Sequence, residues 1–301
     1  MRKLEVANVM WDNFTVVGIL DKSKQNVFLN SSIMALRVAY EGQLDILAQH
    51  TGDYWSIKVR EYRKDGDKLV YGPTLIYMEK VRYHEEKVRL EFNPTQQTEK
   101  SDEVKNYFLD VLEDKSVSRA DLAFDVYGDL SGYRLNRAGV SSNYYMGRSG
   151  RLETLYYGSR GSDKQIRMYN KLKELSAHKK FHELAELPQL PSDWWRLELQ
   201  MRRDENANFV ELGNEVLDQL YRVHDLDRNA ITGQDYVILI AITEHPELLG
   251  ELSKYHRKKY RKMLREVQKS TLAENLSELL KSEESRLTAE LEKMTAEFEK
   301  S

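Results

Sequence analysis

Hydrophobic and polar residues alternate through much of the N-terminal half of the chain, which is the period of a β-strand with one buried face. YWSIKVREY and KLVYGPTLIYM show this pattern within residues 11–95, and Asp65-Gly66 between them supplies a hairpin turn. SDEVKNYFLDVLED at 101–114 instead has a serine cap and apolar residues at helical spacing. The pattern therefore predicts a mainly antiparallel sheet interrupted by a helix, with a further helix around 32–49.

A second run of short alternating segments follows. VSRADLAFDVYG, RLETLYYGSR, KQIRMYNK and DWWRLELQMRR each have the period of a strand, and a helix is predicted from about 171 to 186. The RLEL of the last segment repeats the RLEF at 89–92, so we consider an internal duplication of the residues near 1–100 in 115–205. From 206 to 301 the periodicity is helical. The sequence thus predicts an α+β fold, in which a strand-rich core at 1–205 has a large, mainly antiparallel sheet with flanking helices and precedes a helical C-terminal region.

Strand alternation places reactive side chains on one face of three of these segments. The residues that share such a face are Arg119, Asp121 and Asp125; Arg196 and Glu198; and Arg167, Tyr169 and Lys171. Each face alone is typical of a half-solvated antiparallel sheet or of an edge strand protected by cations. Three such strands side by side would form a site.

The chemistry of that site would centre on the tyrosine. A phenol with a pKa of ~10 is a poor nucleophile until cations or a metal favour its phenolate form. Arg167 and Lys171 flank Tyr169 and are placed to do this. Carboxylates without cysteine suit a hard divalent cation, Mg²⁺ or Mn²⁺, which would neutralise a phosphodiester and its leaving oxygen. The product would be a phosphotyrosine that stores the energy of the cleaved bond, so the strand could be rejoined without ATP.

The composition limits the alternatives. With 46 Lys and Arg against 49 Asp and Glu, net charge gives no argument for nucleic-acid binding, so any basic site must be local. The absence of cysteine excludes disulfides, thiolate zinc sites and cysteine nucleophiles. The N-terminal segment has no apolar signal core, and the longest apolar run, YVILIAI at 236–242, is too short to span a bilayer. We expect a soluble cytoplasmic protein with no membrane partner.

Two segments are candidates for contacts with DNA. KYHRKKYRKMLREVQK at 254–269 has eight Lys and Arg against one Glu, and its central cations are Lys258, Lys259, Arg261 and Lys262. The alternative is a solvated helix face. In YYGSRGSDK, Arg160 and the backbone could hold a DNA strand, although a hairpin turn accounts equally well for Gly158 and Gly161.

The motifs SRADLAFDVYGD, TLYYGSRGSDKQIRMYNKLKE and WWRLELQMRR resemble the Rep_trans replication initiators of small rolling-circle plasmids of Gram-positive bacteria, close to the staphylococcal antibiotic-resistance plasmid type. The motifs cover about 117–203, and RLEFNP and the overall length also match. The resemblance implies a homodimeric nickase-ligase that binds a plasmid double-strand origin and cuts one strand at an extruded hairpin. It also implies a 5′-phosphotyrosine link, recruitment of a host PcrA-like helicase, and a C-terminal region that serves origin binding and dimer contacts.

The resemblance also assigns residues. The R-x-Y-x-K setting of the family's tyrosine selects Tyr169 among eighteen tyrosines, with Arg167, Lys171 and Arg196 as catalytic cations. Most rolling-circle initiators bind their metal through a His-hydrophobic-His pair, and none of the seven histidines here forms one. Carboxylates must replace it, and the candidates are Asp121, Asp125 and Glu198, with Glu91 and Glu153 behind them. For each carboxylate the alternative is an ion pair with an arginine.

Other interpretations remain open at this stage. His178 and His182 lie four residues apart on a predicted helix, but the segment is not H-E-x-x-H, and we interpret both as solvated. A non-enzymatic origin-binding regulator would keep the basic segment but would not need carboxylates beside a tyrosine. A tyrosine recombinase also forms phosphotyrosine, but it needs no metal and has a largely helical catalytic domain.

Overall fold

The computed structural model describes residues 4–136, 140–177, 191–222, 231, 233–245, 247–265, 270–296 and 298. Within these residues, ten strands form one antiparallel sheet in the order β2-β3-β4-β5-β1-β6-β11-β10-β9-β8. The strands are β1 (Glu5–Ile19), β2 (Leu44–Thr51), β3 (Tyr54–Asp65), β4 (Lys68–Lys80), β5 (Lys87–Phe92), β6 (Glu113–Tyr127), β8 (Ser142–Met146), β9 (Leu152–Tyr157), β10 (Lys164–Asn170) and β11 (Trp194–Arg202). A separate pair joins β7 (Tyr133–Leu135) to β12 (Leu220–Arg222). The predicted α+β fold with a large antiparallel sheet is confirmed.

The described residues also form helices. They are α1 (Lys22–Val27), α2 (Ile33–Ala39), α3 (Glu99–Asp110), α4 (Lys171–Ala177), α5 (Phe209–Leu217), α6 (Gly233–Glu244), α7 (Leu248–Glu251), α8 (Lys254–Arg265) and α9 (Thr271–Ala296). Most of the core lies between the sheet and α3, α5 and α9, and it includes Trp11, Phe108, Leu122 and Leu280. The indole of Trp11 donates a hydrogen bond of 3.0 Å to the carbonyl of Leu287 on α9. The C-terminal helix is therefore part of the sheet's own core.

Several predicted boundaries are wrong for local reasons. The helix predicted around 32–49 is the shorter α2, which ends at Ala39 because β2 already begins at Leu44; α1 and a π-helical turn at Phe28–Ser32 precede it. Helix α3 begins three residues earlier than a cap at Ser101 predicts, because Thr98 is its N-cap and forms a capping box with Ser101. Helix α4 begins at Lys171 as predicted, but its predicted end at 186 lies outside the described residues.

Helices α6 and α8 pack on each other through a small second cluster, in which Leu239, Ile242 and Tyr260 are buried. None of the helices that the structure describes is long and apolar enough to cross a membrane.

The sheet has the same strand order on both sides of its centre. Outward from the β1–β6 pair, one half runs β5-β4-β3-β2 and the other runs β11-β10-β9-β8. RLEF lies on β5 and RLEL on β11, so each tetrapeptide lies on the strand next to the first strand of its half. A duplication would produce this order, and it stays a prediction.

Candidate active site

The three strands that carry the predicted site are neighbours, in the order β6-β11-β10. Tyr169 of β10 pairs with Arg196 of β11, which pairs in turn with Asp125 of β6. Two residues earlier on β10, and on the same face, Arg167 pairs with Glu198. Directly paired residues of antiparallel strands point to the same face, so these side chains share one surface.

Tyr169 lies one residue before the end of β10 and is only 2% exposed. The guanidinium carbon of Arg167 lies 3.7 Å from the centroid of its ring, and the ammonium of Lys171 lies 5.9 Å from it. Burial nevertheless raises the pKa of Tyr169 well above 10, and the charge of Glu198 raises it further. Desolvation therefore outweighs the cation that lowers this pKa, the guanidinium of Arg196.

Lys171 is not part of the alternating strand face. Strand β10 ends at Asn170, and Lys171 is the first residue of α4. Its ammonium lies 2.8 Å from a carboxylate oxygen of Glu174 on the same helix. The strand prediction was wrong here because an alternating pattern does not mark the residue at which a helix begins.

Arg196 is buried and held by two carboxylates. It donates two hydrogen bonds to Asp125, of 2.7 and 2.8 Å, and one of 2.5 Å to Asp12 of β1. These two negative charges and the hydrogen bonds to Asp125 raise the pKa of Arg196. Asp125 therefore forms the ion pair that we gave as the alternative to metal binding, and the guanidinium of Arg196 is engaged by Asp125 and Asp12.

Asp121 also forms an ion pair with an arginine, because Nε and Nη2 of Arg119 both donate hydrogen bonds to its carboxylate. Asp121 accepts a hydrogen bond of 2.8 Å from Nε of Arg119, yet burial raises its pKa to about 6. Burial, followed by the charges of Asp121 and Asp12, raises the pKa of Glu198 to about 7. The nearest oxygen of Glu198 is 4.0 Å from Nη1 of Arg167, so this ion pair is weak. Two carboxylates with raised pKa values therefore stand close together in a buried place.

These two carboxylates fit a hard divalent cation, because crowded acidic oxygens with raised pKa values are relieved by a positive ion. Among the described residues, however, no group of three His, Cys, Asp or Glu side chains is arranged to hold a metal. The other predicted ligands are engaged elsewhere: Glu91 lies 3.2 Å from Arg89, and Glu153 lies 2.6 Å from Lys173. His178 and His182 lie outside the described residues.

Asp12 is the site residue that the sequence analysis missed. It lies on β1, next to β6, where the pairing register shifts between Trp11 and Asn13. Such a bulge re-aims a side chain and breaks the alternation on which a sequence prediction depends. Its charge reaches Arg196, Asp121 and Glu198.

The predicted DNA contacts lie away from this cluster. Arg160 is exposed in the turn between β9 and β10. Lys258, Arg261 and Lys262 are exposed on α8, whereas Lys259 binds both carboxylate oxygens of Asp235, at 2.6 and 2.8 Å. Lys259 therefore has a structural partner that the sequence did not indicate. Residues 266–269 of the basic segment lie outside the described residues.

Comparison with known proteins gives relatives of one kind. A protein of Staphylococcus aureus named replication initiation protein is 26% identical over 293 residues, which are 96% of this chain and 85% of that one. A second replication initiation protein of that species is 30% identical over 213 residues, 70% of this chain and 65% of its own length. No family model matches the chain.

Among solved structures, the rolling circle replication initiator protein from Geobacillus stearothermophilus aligns with a TM-score of 0.33 and 15% identity, covering 79% of this chain and 96% of that one. The sequence relatives support replication initiation as the class of function.

Proposed function

We propose that this chain is a rolling-circle plasmid replication initiator that nicks one strand of its origin through Tyr169 and later rejoins it. The observation that carries the proposal is the position of Tyr169, opposite Arg196 and against Arg167, on a face that also holds Glu198 and Asp121. The similarity to replication initiation proteins over nearly the whole chain supports it.

In this proposal the phenolic oxygen of Tyr169 attacks the scissile phosphorus. The bond from phosphorus to the 3′ oxygen breaks, the 3′ oxygen leaves, and the 5′ phosphate stays on the tyrosine. The reverse attack by a 3′ hydroxyl rejoins the strand and releases the phenol. Nicking removes one proton from the phenol, and one proton is taken up by the departing 3′ oxygen, so the step consumes no net proton. Because burial above all raises the pKa of Tyr169, loss of the phenol proton requires positive charge beside the oxygen.

The neighbouring side chains have separate roles. Arg167 lies on the tyrosine ring and makes only a long contact with Glu198, so we assign it to the phosphate. Arg196 is locked by Asp12 and Asp125 and instead fixes the strands on either side of it. Asp121 and Glu198 would hold the divalent ion, Mg²⁺ or Mn²⁺, which when bound would neutralise charge on the phosphodiester.

Contacts with partners are also proposals. Lys258, Arg261 and Lys262 on α8 would bind duplex origin DNA, and Arg160 would hold the DNA backbone away from the nick. A homodimer and a host PcrA-like helicase follow from the resemblance to Rep_trans initiators.

The test is a nicking assay on a supercoiled plasmid that carries the protein's own gene and origin, with and without EDTA. Wild-type protein should relax the plasmid and form a covalent adduct that resists detergent, and Tyr169→Phe should bind DNA but form neither product. Tyr83→Phe, at a fully exposed tyrosine, is the matched control and should keep both activities.

An adduct formed by Tyr169→Phe would contradict the assignment. Nicking that EDTA leaves unchanged would indicate metal-independent chemistry of the recombinase kind. Origin binding without any nicking would indicate a non-enzymatic regulator.

A further inference from the structure

The polar face that holds Tyr169 continues to the edge of the sheet. In the pairing of β10 with β9, Arg167 lies opposite Tyr156 and Tyr169 opposite Thr154. In the pairing of β9 with β8, Thr154 lies opposite Tyr145. Directly paired residues share a face, so the side chains of all three strands lie on the surface of the candidate active site. Strand β8 is the last strand of the sheet on this side.

Aromatic and cationic groups form a continuous row along this face. The guanidinium carbon of Arg167 lies 3.7 Å from the ring centroid of Tyr169 and 5.7 Å from that of Tyr156. The rings of Tyr156 and Tyr145 meet edge to face, with centroids 5.8 Å apart and planes at 77°. Tyr145 is 56% exposed, so its ring is open to a ligand. We call Tyr145 and Tyr156 the tyrosine platform.

The charge around the platform suits an anionic ligand. Arg148 and Arg151 are exposed in the turn between β8 and β9, close along the chain to Tyr145. The carboxylate of Glu153 on β9 is neutralised by Lys173 at 2.6 Å. Cations beside exposed aromatic rings are the combination that single-stranded nucleic acid uses, since bases stack on the rings and phosphates meet the cations.

We propose that the tyrosine platform binds unpaired bases of single-stranded DNA next to the phosphate at Tyr169. The proposal rests on the proposed function of Tyr169. Strands β10 and β8 are two strand spacings apart, about 10 Å. That span corresponds to roughly three bases at the ~3.4 Å rise of a stacked strand. The platform therefore positions the nucleotides nearest the nick, while α8 binds duplex elsewhere.

The test measures binding without cleavage, in protein that carries Tyr169→Phe. The probe is a fluorescein-labelled oligothymidylate, because stacking on aromatic rings tolerates any base. Each of Tyr145→Ala and Tyr156→Ala should weaken binding by about 5- to 100-fold, the effect of losing one stacked base. Tyr145→Phe and Tyr156→Phe keep the ring and should stay within about twofold of the parent.

Two further variants separate stacking from charge. Arg148→Ala with Arg151→Ala should reduce the dependence of binding on salt by about 0.7 of a logarithmic slope for each lost phosphate contact, whereas the tyrosine variants should leave this slope unchanged. Tyr83→Ala, at an exposed tyrosine on the loop between β4 and β5, is the control and should bind oligothymidylate normally.

Three outcomes would overturn the platform. Unchanged binding by the Tyr145→Ala, Tyr156→Ala double variant would show that the rings do not touch DNA. If the same variants lost as much affinity for a duplex of oligothymidylate with oligoadenylate, the surface would be a contact for duplex DNA. A change of oligomeric state in sedimentation would make β8 an edge for self-association. None of these binding readouts depends on nicking. Failure of the proposed function would instead show as the absence of a Tyr169 adduct, so the two failures can be told apart.

Discussion

Glu198 should destabilise the metal-free protein at neutral pH, and its removal should therefore stabilise it. Burial and the charges of Asp121 and Asp12 raise the pKa of this carboxyl from 4.5 to about 7. The folded state thus holds the proton more tightly than the unfolded chain does. Below pH 4.5 Glu198 is protonated in both states and does not lower the free energy of unfolding. As the pH rises from 4.5 to about 7, the free energy of unfolding falls.

The size of the effect follows from the two pKa values. Each pH unit between 4.5 and about 7 costs about 1.4 kcal/mol, so ionised Glu198 lowers the free energy of unfolding by roughly 3 kcal/mol. Glu198→Gln keeps the size of the side chain and cannot ionise. Compared with wild type, it should gain up to roughly 3 kcal/mol at pH 8 and almost nothing at pH 4.5.

The assay is urea unfolding of wild type and Glu198→Gln at pH 4.5 and pH 8, with EDTA in every sample. Glu278→Gln, at an exposed position of α9, is the control and should change stability by less than about 0.5 kcal/mol at both pH values. If Glu198→Gln were equally or less stable than wild type at pH 8, then the ion pair with Arg167 would outweigh the crowding of carboxylates, and the argument for a cation site would be lost.

Three further predictions follow from the same structure. Mn²⁺ at 100 times its dissociation constant should stabilise wild type by about 2.7 kcal/mol in thermal unfolding and should leave Glu198→Gln unchanged; equal shifts in both would refute the site. Gly158→Ala should lower the free energy of unfolding by about 1–3 kcal/mol, because Gly158 has φ of +88° and a Cβ there would lie 2.8 Å from the carbonyl oxygen of Lys164. A Cβ at Gly161 would lie within 4 Å of no atom, so Gly161→Ala is the control and should leave the same unfolding free energy unchanged. Lys258→Ala with Arg261→Ala should weaken duplex origin binding and reduce its salt slope by about two, with cleavage of a single-stranded nick-site oligonucleotide unchanged; an unaltered slope would make α8 a solvated helix.

The faces of the central strands could be predicted from the sequence, but their alignment could not. Alternation correctly separates the apolar face of β11, with Trp195, Leu197 and Leu199 buried in the core, from the face of Arg196 and Glu198. It says nothing about which residue lies opposite which, because register depends on pairing across the sheet. The alignment of Tyr169 with Arg196 therefore had to come from the structure.

Two properties of the candidate site, the role of Asp12 and the pKa of Tyr169, could not be predicted from the sequence for a different reason. Asp12 lies at a bulge of β1, where alternation fails, and Arg196, which donates a hydrogen bond to it, is 184 residues away along the chain. The raised pKa of Tyr169 depends on burial, which outweighs the charge of Arg196. Sequence spacing gives the identity of charged neighbours, whereas the extent of desolvation depends on the packed fold.

The central pairing of β1 with β6 determines when the site can exist during synthesis. The first half of the sheet is complete once residue 92 has left the ribosome, but β1 keeps one unpaired edge until β6 emerges at residues 113–127. An open edge of this kind invites pairing with other chains, and β6 in turn keeps an unpaired edge until β11 emerges at residues 194–202, so the emerging protein stays prone to aggregate until then. Strand β10, with Tyr169, emerges before β11, with Arg196 and Glu198. A chain that terminates between the two strands therefore carries the tyrosine, Asp12 and Asp125 but lacks the arginine that joins these two aspartates.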